Sequence, residues 1–156
     1  MRAGSGGARA MNARREEGTA LIEFCWLAIL LLVPLVYLIL AVFDVQRAAY
    51  GVTAATRAAG RAYVLSPDLA TAQSRAYEAA AVALRDQGLD LAPGDLMITC
   101  EPTPDSCLQP GSSVLVALDL HVDLPLMPSA LGDNTPSIRV ESTHLAPYGT
   151  YREARS

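Results

Sequence analysis

Glu23 stands five residues after Gly18 in the run Gly18-Thr19-Ala20-Leu21-Ile22-Glu23-Phe24, at the mouth of twenty uncharged residues from Phe24 to Phe43. A carboxylate on the edge of a membrane-length apolar run is costly, and carboxylates placed inside such runs usually have a partner. Gly18 offers a different chemistry: without a side chain, its backbone can be approached closely by a peptidase that grips extended chain. Together the two residues suggest a membrane segment that is cut between Gly18 and Thr19. The α-amine of Thr19 would then be a cation four residues from Glu23, able to meet that carboxylate on its own helix end or on a neighbouring chain. The blander reading leaves Glu23 among lipid headgroups, where nearness to the interface cuts the penalty.

Two other groups of residues have chemistry to offer. Cys100 and Cys107 enclose a short loop with two prolines, Pro102 and Pro104. A Cys-x6-Cys pair without a second pair is a poor zinc site, which needs four ligands. In an oxidising compartment the two thiols would pair, so a structural disulfide is the favoured reading. Cys25 lies inside the apolar run and reads as a small apolar filler. Asp119, His121 and Asp123 alternate along one stretch and could in principle hold a metal through oxygen and nitrogen. Three polar residues on the wet side of a half-buried strand are the ordinary expectation, and His144 has the opposite parity. No Ser-His-Asp spacing, glycine-rich phosphate loop or nucleotide signature occurs. The reading is therefore not an enzyme, with no cofactor and no metal.

The elements that position these residues follow from composition and period. At 1.5 Å per residue, twenty helical residues cover about 30 Å, the thickness of the hydrocarbon core. One such run among 156 residues predicts a single-pass protein. Arg2, Arg9, Arg14 and Arg15 precede the run and Arg47 is the nearest basic residue after it. That bias keeps the N-terminus cytoplasmic and exports the larger part. Beyond Phe43 there are thirteen acidic and eight basic residues, which argues against nucleic-acid binding. A secretory signal peptide fits poorly, because its apolar region is shorter and is followed by small residues at the cut.

Residues 1–17 show no apolar periodicity and read as a disordered cytoplasmic leader, with 1–18 removed on cleavage. The membrane helix is predicted from about Ala20 to Phe43, continuing outward through the proline-free stretch 44–65. There Val45, Ala48, Val52, Ala55, Ala59 and Ala62 make a narrow face of small side chains. Gly51 and Gly60 each cost about 1 kcal/mol relative to alanine in such a helix and read as points of close helix contact. Ser66 is the expected cap of a second helix, with Pro67 at its first position, and Gly88 is the expected stop. Beyond it the period becomes alternating. Leu96–Cys100, Val114–Leu124 and Ile138–Leu145 are the predicted strands, with Ile138 and Val140 inward and Arg139 and Glu141 outward. Pro125, Pro128 and Pro136 bracket the connection before the last of them. The domain reading is thus 1–18 leader, 19–43 transmembrane helix, 44–87 extracytoplasmic helices, 88–145 antiparallel sheet with disulfide, and 146–156 polar tail. The fold class is α+β: one transmembrane helix continuing into an extracytoplasmic helix, a second helix, then a small three-stranded antiparallel sheet.

The leader, the GTALIEF run and the Arg- and Ala-rich stretch RAAYGVTAATRAAGRA together resemble the TadE-like family of Tad/Flp pilus-assembly pseudopilins. The resemblance covers nearly the whole chain and is weaker over the sheet. It implies a pilin-like fold and a prepilin peptidase that cuts between Gly18 and Thr19, making Glu23 the fifth mature residue. Phe24 follows where the major pilins of such systems tend to carry tyrosine. That and the large exported part imply a minor component rather than the fibre subunit. Pro34 falls at mature residue sixteen, so the helix kink of many type IV pilins does not carry over. The implied partners are the prepilin peptidase, other pseudopilins and pilus components, the membrane assembly platform and lipid. A never-processed, membrane-anchored binding or scaffold domain is the alternative.

Overall fold

The computed structural model describes residues 7–104, 106–123 and 137–155, with side chains described from Thr19 onward. Leu124, Pro125, Pro128 and Pro136, which the strand pattern had placed, lie outside the described residues. The fold is α+β. A long helix α1 (Gly7–Val64) and a helix α2 (Leu69–Arg85) precede strands β1 (Leu96–Glu101), β2 (Ser113–Asp123) and β3 (Ser137–Pro147). The chain divides into two compact units, 1–40 and 41–156, and α1 contributes to both.

In the first unit α1 begins at Gly7, before the expected start at Ala20, so the disordered reading of 1–17 does not hold from Gly7 onward. The reason is propensity. Ala8, Arg9, Ala10, Met11, Ala13, Arg14, Arg15, Glu16 and Glu17 are mostly strong helix formers, and extending a helix that already exists needs no new nucleus. Pro34 sits inside α1 without ending it. From Leu21 to Leu40 every side chain is exposed except Tyr37, which is half-buried. This is the one span, among the described residues, long and apolar enough to cross a membrane.

In the second unit one face of the rest of α1 is covered. Ala48, Val52, Ala55 and Ala59 are fully buried, as their three- and four-residue spacing requires. The small face lets the helix lie close on the sheet. A methyl group on Gly60 would come within 3.1 Å of Ala146 Cβ and 3.2 Å of His144 Cδ2. His144 therefore faces the helical layer, as its parity predicts, and Thr56 meets Ser142 there at 3.3 Å. Helix α2 returns beside α1, with Gly51 against Gln87 and Leu89.

The start of α2 differs from expectation. Asp68, not Ser66, is the cap: its carboxylate accepts from the Thr71 amide at 2.8 Å. Ser66 is buried and instead donates its hydroxyl to Ala62 O at 2.8 Å, finishing α1. A short side chain that can reach back one turn competes for exactly this choice. Replacing Asp68 by alanine is expected to cost about 1 kcal/mol, read as a lower melting temperature of the full chain in detergent. The helix stops as predicted. Gly88 adopts a φ of 68°, and the Leu89 amide donates to Leu84 O at 3.0 Å while Gly88 donates to Arg85 O at 2.9 Å, the Schellman pattern.

The sheet is antiparallel in the order β1-β2-β3, with Cys100 opposite Val114 and Asp119 opposite Glu141. Val114, Val116, Leu118 and Leu120 form the buried row of β2, together with Val140 and Ala146 of β3. Ile138 was expected inward. It has the parity of Val140 but is 38% exposed, at its pairing with Val122 one position from the end of the β2–β3 ladder.

Candidate functional site

Gly18, Thr19, Glu23 and Phe24 all lie on α1 in the first unit. Thr19 and Glu23 are four residues apart on a regular helix, hence on one face and one turn apart. Glu23 is exposed, and Phe24 on the neighbouring face is 70% exposed. The following apolar side chains, Trp26, Leu27, Ile29 and Leu30 among them, are likewise exposed. The arrangement is a carboxylate at the head of an uncovered apolar rod. An uncovered apolar surface of this kind is suited to lipid or to other apolar helices.

Cys100 and Cys107 form the expected disulfide, with their Cα atoms 5.1 Å apart. Cys25 is a free cysteine on the uncovered helix. The disulfide loop does more than close on itself. Ser112 donates its hydroxyl to Cys107 O at 2.6 Å, and the Tyr148 amide donates to Ser112 O at 2.9 Å. The loop thus holds the exit of β3.

From there the C-terminal residues, expected as a polar tail, pack on the body. Tyr148 is buried, and its hydroxyl donates to Glu153 O at 2.6 Å. The Arg152 guanidinium lies 5.2 Å from the Tyr148 ring centre and donates to Val64 O at 2.8 Å. Arg155 donates its amide to Leu108 O at 3.0 Å and its guanidinium to Ser66 O at 2.6 Å. Arg152 therefore satisfies the last carbonyl of α1 and Arg155 a carbonyl two residues beyond it, where orphan acceptors and the negative end of the helix dipole favour positive charge. Polar composition alone hid this strap. The signal was there in an Arg-x-x-Arg pair following tyrosine, in a chain whose longest helix ends without a glycine stop.

On the outer face of the sheet, Arg139 bonds Asp119 at 2.5 Å and reaches Glu141 at 3.4 Å. The hydrogen bond to Asp119, reinforced by both carboxylates, raises the Arg139 pKa above its ordinary value. Asp119, one of three candidate metal ligands, is thus engaged by a cation. His121 pairs in register with Arg139, and Asp123 with Ser137. Among the described residues no group of three His, Cys, Asp or Glu side chains is placed to hold a metal ion.

The buried hydroxyls are committed to structure. Thr56 donates to Thr53 O at 3.0 Å, and Ser66 and Ser112 to the carbonyls already named. Burial raises the pKa of Tyr63, which belongs to the hydrophobic core. Comparison with protein-family models, curated proteins and solved structures finds no match to this chain.

Proposed function

We propose that this chain is a TadE-like minor pseudopilin that serves the assembly of a Tad/Flp-type pilus by non-covalent helix association. The observation that carries the reading is the division of α1. One continuous helix holds an uncovered apolar run headed by Gly18-Thr19 and Glu23, and then a small-residue half clad by a sheet. A subunit that must reside in lipid and later pack in a filament needs both halves on one rod.

In this reading the arginine-rich leader stays cytoplasmic, the apolar run spans the membrane, and the disulfide-tied body is extracytoplasmic. A prepilin peptidase removes the leader at Gly18–Thr19. Both residues are helical, so the enzyme must unwind the helix locally. Gly18 is the residue where this costs least, since glycine gives up about 1 kcal/mol relative to alanine in a helix. Cleavage places the Thr19 α-amine beside Glu23 at the helix N-terminus, where a carboxylate is also favoured by the helix dipole. Glu23 then meets either its own amine or that of a neighbour, so packing offsets the cost of holding a charge at the edge of the apolar layer and sets the register. The body would present its surface to other pseudopilins and to the assembly platform. No catalytic step is assigned to the chain.

The test is the intact mass of the protein from the membrane fraction of cells with an active prepilin peptidase. A chain beginning at Thr19 is expected, and Gly18→Ile is expected to leave the leader attached. A full-length chain in those cells overturns the reading in favour of an unprocessed membrane-anchored scaffold.

A further inference from the structure

Within the folded body the outer surfaces of α1 and α2 leave a groove of about 610 Å³, floored by Ala58, Ala62, Ala79 and Ala83. Leu65 and Val82 stand on its rims, 51% and 55% exposed. Exposed Arg57 and Arg61 are the chain neighbours of the lining residues Ala58 and Ala62 on α1, while Arg75 and Glu78 of α2 and its C-cap Asp86 line the other side. Among the described residues none of these five makes an ion pair. Unpaired opposite charges flanking an apolar groove are what a partner of complementary layout would use.

The geometry points to a second copy of this chain as that partner. Gly51 meets Gln87, which fixes the level at which the antiparallel helices pass each other. Arg61 lies ten residues along α1 from Gly51, and Glu78 lies nine residues back from Gln87, which follows the last turn of α2. Both therefore stand about 14–15 Å from that crossing point at 1.5 Å per residue. They occupy one level along the helix pair. A two-fold axis parallel to α1 preserves level, so it sets Arg61 of each copy against Glu78 of the other. We infer that the chain pairs with itself through this groove, with the α1 helices parallel. The exposed Leu65 and Val82 supply the apolar contact, and the two Arg61–Glu78 pairs select partner and register. The parallel direction rests on the single-pass anchoring proposed above, which brings both α1 helices out of one membrane face; the charge match itself does not depend on leader removal.

The test uses the full chain carrying two different tags, co-expressed, solubilised in mild detergent and captured through one tag. Wild-type chains are expected to capture each other. Arg61→Glu paired with itself, and Glu78→Arg paired with itself, each place like charges at both contacts, and capture is expected to fall by about tenfold or more. Arg61→Glu co-expressed with Glu78→Arg restores opposite charge at both contacts and should recover capture. An interaction within one chain cannot produce that recovery. Val82→Asp is the second probe, expected to reduce self-capture while the melting temperature stays at the wild-type value. Lack of wild-type self-capture, a mixed pair no better than either variant alone, or full capture by a normally melting Val82→Asp chain overturns the inference. The mass of the captured chain reports separately whether it begins at Thr19, so failure of processing and failure of pairing are read independently.

Discussion

Tyr148→Ala is expected to remove about 3–5 kcal/mol from the stability of the folded body, the cost typical of truncating a buried aromatic side chain. Tyr148 is 1% exposed and sits where three parts of the body meet. Its amide is held by Ser112, which itself bonds Cys107 of the disulfide, its hydroxyl by Glu153, and its ring by Arg152. Truncation leaves a cavity and also frees the strap that carries Arg152 and Arg155 to the end of α1. Tyr148→Phe keeps the ring and loses one hydrogen bond, so it is expected to cost only about 1 kcal/mol. Hydrogen exchange of the full chain in detergent distinguishes the two. The β2 amides of Val116 and Leu118 open only with the sheet. They are expected to exchange roughly 150- to 4,000-fold faster in Tyr148→Ala and about fivefold faster in Tyr148→Phe. If Tyr148→Ala exchanges like wild type, the strap is not part of the cooperative body.

Gly60→Leu carries the second large effect. The added side chain must enter a space where Ala146 Cβ and His144 Cδ2 already lie within 3.1 and 3.2 Å of the first carbon, and Val116 Cγ2 within 3.6 Å. Ala146 is fixed on β3, so the helix has to lift from the sheet. Overpacking of this kind costs about 3 kcal/mol. The Thr56–Ser142 contact one turn away should be lost with it. Gly60→Ala is the informative control. Alanine gains about 1 kcal/mol of helix propensity and meets the same two atoms with one methyl group, so its net change should stay within about 1 kcal/mol of wild type. The same exchange measurement checks both. A Gly60→Leu protein as stable as wild type would mean that α1 does not depend on this close approach.

These two sites differ in how far they could be read from residue order. Gly60 was legible in part: a glycine inside an alanine-rich face reads as a point of close approach, expected against a helix and found against the sheet. Its neighbours were not legible, since nothing local pairs position 60 with 144 and 146. Tyr148 and its strap were misread, because a short polar stretch looks the same whether solvated or bonded to carbonyls far away in the chain. The Ser66 and Asp68 exchange was decided by similar competition. Both residues can cap, and the end of α1 took the serine first.

Residue types and spacing by themselves determined the α+β order, the single apolar helix, the alternation of β2, the stop at Gly88 and the pairing of Cys100 with Cys107. Each of these rests on local periodicity, backbone freedom or a short loop, and so is written within a few residues. They also singled out Gly18, Thr19 and Glu23, whose proposed role depends on helix spacing and desolvation alone. Tertiary structure decided the rest. The clasp of Arg152 and Arg155 on the end of α1, the Asp119–Arg139–Glu141 contact and the level match of Arg61 with Glu78 all join residues distant in sequence. Charge and hydrogen-bonding capacity are visible in a side chain, but which partner satisfies them is set by the path of the backbone.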